Sequence, residues 1–575
     1  MKWLSLTIAA FLTAFAFAAF TSIKTAKTTE FLPRKKAGTI SCVPDRNWLN
    51  KFLEGEDIPL MPGSGTYQWK LSTSSDSAQL YFDQGINMYY GFHIIEALAS
   101  FKKAARFDPQ NPMVWWAQAL ALGPNINDVG YAASPDALAF TQKAKDLSAA
   151  ATPLEKMLIY AMSVRYSKDS TQSREKLNQD YVDEMNKASR QYASNADAAA
   201  LYADALMLQH PWDLWYNNGT PKPWTPRIRE VLEKLLAKTP THPGANHYYI
   251  HVMEASPYAG KALPSADRLG KLTPGLSHLV HMPSHIYLRV GQFNKGTEVN
   301  EEAVKQYATY NELFSPVTEN AFLYQWHNLH MQANCAMLAG RYEYAQKTAV
   351  DLQKAIDTSL LSLPPPMGSA VQYLYMTPVF LNIRYAKWSD LLAMPAPISH
   401  HVYATILYHF GKGMAYAALK DFDSAEKEKS EIENLMDNPS LTIPIKPFSP
   451  PIEGVKCARD LLSGFIHYKQ NKLAEAIIYF NQAAETERNM TYNEPRDWLL
   501  SPKQWLGTAL MTAGRWSEAQ KAFEKDLLVN NNNVWSLYGL HQSLTRQNKQ
   551  SKAANVKAQF LKASSKSDVK METMF

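Results

Sequence analysis

Eight of the fifteen histidines in this 575-residue chain lie between His242 and His330. An even spread would put about two in that window. Most fall at helical spacing: His247 and His251 with Glu254, then His278, His281 and His285, then His327 and His330. Residues three or four apart share one face of a helix. Neutral imidazoles beside a carboxylate are donors that Zn, Cu or Fe accepts. The spacing predicts a transition-metal site, with His247, His251, His278, His281, His285, His327 and His330 as ligands. Glu254 is the candidate catalytic carboxylate, as a ligand or as a partner of the ligands. A lone helical histidine is more often a hydrogen-bonded core residue, so the joint pattern carries this prediction. A metal-free groove lined by histidine, holding an anionic peptide or substrate, is the other reading. His242 precedes Pro243 and reads as a turn residue.

These side chains need elements that bring them together, and a repeat supplies them. With Ala78–Asn111 taken as a unit of 34, Gly85 stands at position 8, Ala97 at 20, Phe101 at 24, Ala104 at 27 and Pro109 at 32. These are the marker positions of a tetratricopeptide repeat, a helix–turn–helix unit that buries its apolar face only against its neighbours. The ruler also fits Cys457–Met490 (Gly464, Ala476, Phe480, Ala483) and Leu500–Asn533 (Gly507, Gly514, Ala519, Phe523). A further unit starts at Ile406, with Gly413, Tyr416 and Ala425. The fold class is therefore all-α: a tetratricopeptide-like solenoid of about nine or ten helix pairs in a right-handed superhelix.

In the histidine-rich region, units starting at Pro243, Ser277 and Trp326 put the seven candidate ligands at positions 2, 5 and 9 of first helices. In tetratricopeptide-like arrays that face lines the concave groove. Neighbouring helices about 10 Å apart let imidazoles from different helices meet at one ion. Pro283, between His281 and His285, predicts a bend there.

Punctuation and composition set the organisation. Residues 1–23 run from Lys2 through an uncharged stretch with Ala14, Ala16, Ala18 and Ala19, the form of a secretory signal peptide or anchor. Residues 24–75 read as an extended lead-in, 76–360 as a first array with the His-rich groove, and 361–400 as a connection broken by Pro364, Pro365 and Pro366. A second array follows over 401–561 and a polar, disordered tail over 562–575. A net charge of +6 on this length, with no basic run, argues against nucleic acid. Three cysteines, Cys42, Cys335 and Cys457, exclude a disulfide scaffold, although one pairing stays open.

Other segments carry weaker signals. Trp115 to Asn127 is a helix ending at Gly123-Pro124 with polar residues beyond it. Asp204 with His210 to Trp215 is an aromatic–acid cluster, and Tyr492-Asn493-Glu494-Pro495 links two good repeats. A carboxylate on such a linker serves as acid, base or ligand, and more often as a helix cap. There is no phosphate-binding Gly-rich loop, no Gly-x-Ser-x-Gly and no His-Glu-x-x-His.

From about residue 78 to 545, the chain resembles a family of bacterial exported or cytosolic tetratricopeptide proteins. The resemblance is carried by Phe82-Asp83-Gln84-Gly85, Trp115-Trp116 to Asn127, His247–Ser256, His278–Gly291, His327–His330 and Tyr492–Pro495. His93, where the family pattern has Asn, and Asn493, where it has Asp, depart from it. The resemblance implies the fold and brings no activity with it.

Two functions are consistent with this reading. The first is an exported, metal-dependent hydrolase or oxidoreductase of the periplasm or cell envelope, acting on a small molecule or peptide in the groove. The second is an envelope scaffold that docks a peptide or partner protein without catalysis. Membrane contact is expected only through an uncleaved N-terminal segment. A closed pocket with converging histidines favours the first; an open groove favours the second.

Overall fold

The computed structural model describes residues 58–126, 134–169, 171–314 and 322–570. The leader, the lead-in as far as residue 57, Cys42, Asn127 and residues 571–575 lie outside them. Among the described residues the regular elements are helices, and one isolated bridge joins Trp215 to Pro221.

The helices pair as the repeat ruler requires: Asp76–Tyr90 with Ile94–Phe107, Pro451–Lys469 with Leu473–Asn489, and Pro502–Thr512 with Trp516–Leu527. The marker residues explain the pairing. A Cβ on Gly85 would lie 2.4 Å from the Phe101 ring, on Gly464 2.5 Å from Phe480, and on Gly507 2.5 Å from Phe523. Each glycine leaves the hole that the aromatic ring of its partner helix fills, so position 8 and position 24 form one packing unit. The architecture is a tetratricopeptide-like α-solenoid.

Three pairs carry the histidines. Pro243–Glu254 pairs with Leu263–Leu272, and Phe322–Leu338 with Tyr342–Ala355. Between them, Ser277–His281 and Pro283–Val290 act as one first helix against Phe293–Phe314. Pro283 has no N–H to give, yet Met282 keeps helical angles (φ −49, ψ −36), so the helix resumes after a one-residue interruption. His242 is the N-cap of its helix: its Nδ1 accepts from the Ala245 amide at 3.1 Å, and its Nε2 lies 3.3 Å from Asp197 Oδ1.

Residues 361–400 keep the helical packing, with Met367–Tyr375, Thr377–Arg384 and Trp388–Ala393. Cys335 and Cys457 are free and buried. Residues 58–75 lie against the first pair, where the Met61 amide donates to Gln84 (2.8 Å) and the Trp69 amide to Asp83 (3.0 Å).

The C-terminal repeats fold back onto the histidine-bearing pairs. Trp535 Nε1 donates to the Met337 carbonyl (3.2 Å) and Arg289 Nη1 to the Val529 carbonyl (3.0 Å). Beyond Lys562, where the polar composition suggests disorder, the chain docks: Ser567 Oγ donates to the Gly340 carbonyl at 2.9 Å. Asp568 accepts from the amides of Tyr342 (2.6 Å) and Glu343 (2.9 Å), and so caps a helix more than two hundred residues upstream. The centre of the array is covered by its own C-terminal part.

Candidate metal centre

Helical spacing puts His247 over His251, with their Nε2 atoms 3.0 Å apart. It does the same for His281 and His285, whose Nε2 atoms are 2.7 Å apart. The next first helix brings His327 Nε2 to 3.0 Å from His281 Nε2. Three donor groups result, each with ligand atoms within 4.8 Å of one another: His247, His251 and His278; His281, His285 and His327; and Glu254, His285 and Glu494. Two ligands on one ion, each at about 2.0–2.1 Å, sit roughly 2.9–3.4 Å apart. The imidazole separations are close to that range.

The opposite ring nitrogens fix the tautomers. His247 Nδ1 lies 2.6 Å from the Tyr90 carbonyl oxygen, which only accepts, so Nδ1 carries the proton. That carbonyl can approach because residue 244 is glycine: a Cβ there would stand 2.4 Å from the Tyr90 ring. His251 Nδ1 donates to Glu254 Oε1 at 3.2 Å. His281 Nδ1 donates to Asn300 Oδ1 at 2.5 Å, and the Asn300 amide group is oriented by its own donation to the Gly296 carbonyl (2.7 Å). His285 Nδ1 donates to Glu254 Oε2 at 2.8 Å and also meets Glu494. Ligand histidines characteristically give their second N–H to a carbonyl or carboxylate in this way.

The electrostatics follow from burial. His247, His278, His281 and His327 are held well below the ordinary imidazole value, first by desolvation and then by neighbouring histidines. Burial takes His251 and His330 down to about 3. His285 is the exception. Burial would lower it, but the carboxylates of Glu494 and Glu254 outweigh that and raise it to about 10. Burial raises both carboxylates from their ordinary value. Glu254 thus spans the two imidazole groups, with one oxygen on each.

His247 and His251 are both neutral, both with the proton on Nδ1. With Glu254 ionised as the acceptor of His251 Nδ1, their Nε2 atoms turn lone pairs to each other at 3.0 Å. That contact is repulsive until a cation lies beside it. His278 adds two ring nitrogens buried with no hydrogen-bond partner among the described residues. Buried polar atoms are rarely left so, and each exception asks for a reason.

His330 stands apart from the three groups. Its ring meets Tyr373 edge-on at 5.7 Å, and with His327 it lines a cavity beside the second group. Of the weaker sequence signals, His210 stacks on Trp224 with centroids 3.6 Å apart, and Trp215 Nε1 donates to the Val252 carbonyl at 2.7 Å. That loop lays Trp212, at φ +60, edge-on against His251 at 5.1 Å. Asp204 accepts from Tyr89 at 2.9 Å, away from the imidazoles. Sequence reasoning singled out the Tyr492–Pro495 linker but left Glu494 off the ligand set, and it missed Asn300 and the Tyr90 carbonyl altogether.

No protein-family model matches the chain, and no curated protein matches it. Solved helical-repeat structures superpose loosely. The human IFIT1 dimer with m7Gppp-AAAA aligns at 13% identity over 86% of this chain and 91% of that one, with a TM-score of 0.28. Yeast Tom70 aligns at 11% identity over 83% and 90%, with a TM-score of 0.28. The Cut9–Hcn1 hetero-tetramer of the APC/C aligns at 11% identity over 87% and 95%, with a TM-score of 0.27. Superpositions this loose carry no argument about activity. The repeat class rests on the helix pairs themselves.

Proposed function

We propose that this protein holds two transition-metal ions of the Zn, Cu or Fe type and acts as a metal-dependent hydrolase or oxidoreductase. One ion belongs to His247, His251 and His278, the other to His281, His285 and His327. The observation that supports this most directly is the 3.0 Å approach of the His247 and His251 Nε2 atoms beside the unpartnered ring of His278. An ion bound by neutral imidazoles supplies Lewis acidity and an activated water. Glu254 serves as a positioning residue: it holds His251 in the tautomer that leaves Nε2 free, and it orients His285, which gives up its Nε2 proton when an ion binds. With Glu494 it also offers a buried carboxylate pair able to keep or release a proton beside the second group.

The test is metal analysis of protein purified without a His tag. About two equivalents of Zn, Cu or Fe are expected; no bound metal and no uptake on addition would sink the proposal. The repeat class itself favours a second reading, a scaffold that docks a peptide or partner protein, since solenoids of this kind usually do so. The buried state of the histidines argues for the metal centre over that use of the same face. Export to a bacterial periplasm or envelope belongs to the proposal and rests on the leader-like start. N-terminal sequencing of the mature chain tests it.

A further inference from the structure

A cavity of about 230 Å³ lies beside the second imidazole group: His327 of that group lines it, as does Glu494 of the adjoining Glu254–His285–Glu494 group. No residue of the His247–His251–His278 group lines this cavity. Structural metal sites are closed, whereas catalytic ones keep an open position. The cavity therefore distinguishes the two groups.

Its walls are mostly apolar, and their charge has one sign. Tyr373, Tyr403 and Phe448 supply rings, and neither Lys nor Arg is among the lining residues. Three carboxylates are, and two are already engaged: Glu453 with Lys456 (2.8 Å) and Glu494 with His285. The third is Asp497. Its Oδ1 accepts from Asn493 Nδ2 at 2.6 Å, while its Oδ2 is shielded from water with no hydrogen-bond partner among the described residues. The neighbouring Arg496 is turned to Glu487, at 3.3 Å. Burial pushes the Asp497 carboxyl up to about 6, outweighing the Asn493 side chain, the Arg496 charge and a Ser449 backbone donor that favour its anion. A cation against aromatic faces gains further attraction. As for size, a cavity of about 150 Å³ takes benzene, so this one takes about nine heavy atoms.

We propose that this cavity binds a small, largely apolar amine, its ammonium group on Asp497 and the Tyr373–Tyr403 side, and that this amine is the substrate class of the His281–His285–His327 group. The substrate role rests on the metal reading above; the binding itself does not.

The experiment is calorimetric titration of the full chain with benzylamine, benzyl alcohol and benzoate, as purified and after metal stripping. The stripped protein is the decisive arm, because a bound ion would attract benzoate directly. Benzylamine is expected to bind it at least tenfold more tightly than benzoate. Asp497→Asn should cost tenfold or more in benzylamine affinity. Ala370→Phe, which fills the cavity from a residue outside the proposed ligand set, should abolish binding at unchanged Tm. Equal affinity for benzoate overturns the proposal, as does undiminished benzylamine binding in a folded Ala370→Phe protein. Amine binding without any metal content would leave the pocket standing and overturn its role as substrate site.

Discussion

Replacing Glu254 by Gln tests the centre at the atom that joins its halves. The carboxylate accepts two Nδ1–H bonds, from His251 at 3.2 Å and from His285 at 2.8 Å. An amide offers one acceptor oxygen and one NH2 donor. His285 keeps a second carboxylate in Glu494, whereas His251 Nδ1 meets no other acceptor among the described residues. The imidazole facing the NH2 must take the other tautomer, which moves its proton to Nε2 and removes the lone pair meant for the ion. Losing such an outer hydrogen-bond partner costs about 10–100-fold in metal affinity, or about 1.4–2.7 kcal/mol. The loss should fall on the ion of His247, His251 and His278 and leave the other close to normal. Chelator competition with Zn, read with elemental analysis and circular dichroism, measures both affinities on folded protein. Unchanged affinity at both sites would refute the tautomer argument. Loss of both ions together would put Glu254 on the metal itself.

The remaining expectations address other parts of the molecule. His93 is buried, and desolvation lowers it from 6.5 to about 4. It therefore takes up a proton on unfolding, and the stability it supports is present above pH 6.5 and lost as pH falls toward 4. Against wild type, His93→Phe should gain about 3 kcal/mol in relative stability between those limits, read by urea denaturation across pH; parallel pH profiles would contradict this. Gly464→Ala forces a Cβ to 2.5 Å from the Phe480 ring and should cost about 1–3 kcal/mol. Adding Phe480→Leu should recover part of that in a double-mutant cycle. Asp568→Ala removes both cap acceptors of Tyr342–Ala355 and should cost about 0.5–2 kcal/mol, measurable as a lower Tm. His327→Ala should release one equivalent of metal and retain the other.

The helix pairs and the imidazole face were legible because both depend on local period. Gly85 and Phe101 sit sixteen residues apart, inside one repeat. His247 and His251 are neighbours by helical geometry alone. His330 shows the limit of that logic: it is three residues from His327, yet its ring turns to Tyr373 and the cavity. The linker of Glu494 was legible but its meeting with His285 was not, because that approach is set by how the C-terminal repeats fold back, and no spacing rule spans that distance. Asn300 lies on a second helix, so a ruler that scores first-helix positions passes over it. The covered groove was unreadable for the same reason, since it depends on long-range docking such as Trp535 on Met337.

The return of the chain onto itself also sets an order of events. His247 and Glu254 leave the ribosome some 240 residues before Glu494, and the Asp568 clamp on Tyr342–Ala355 forms only when synthesis is almost complete. Until then the imidazoles lie on an uncovered helix face, within reach of any ion in the compartment. On the proposed metal reading, the ion enclosed would be decided late, in whatever place the last repeats close, so the folding environment would take part in choosing it.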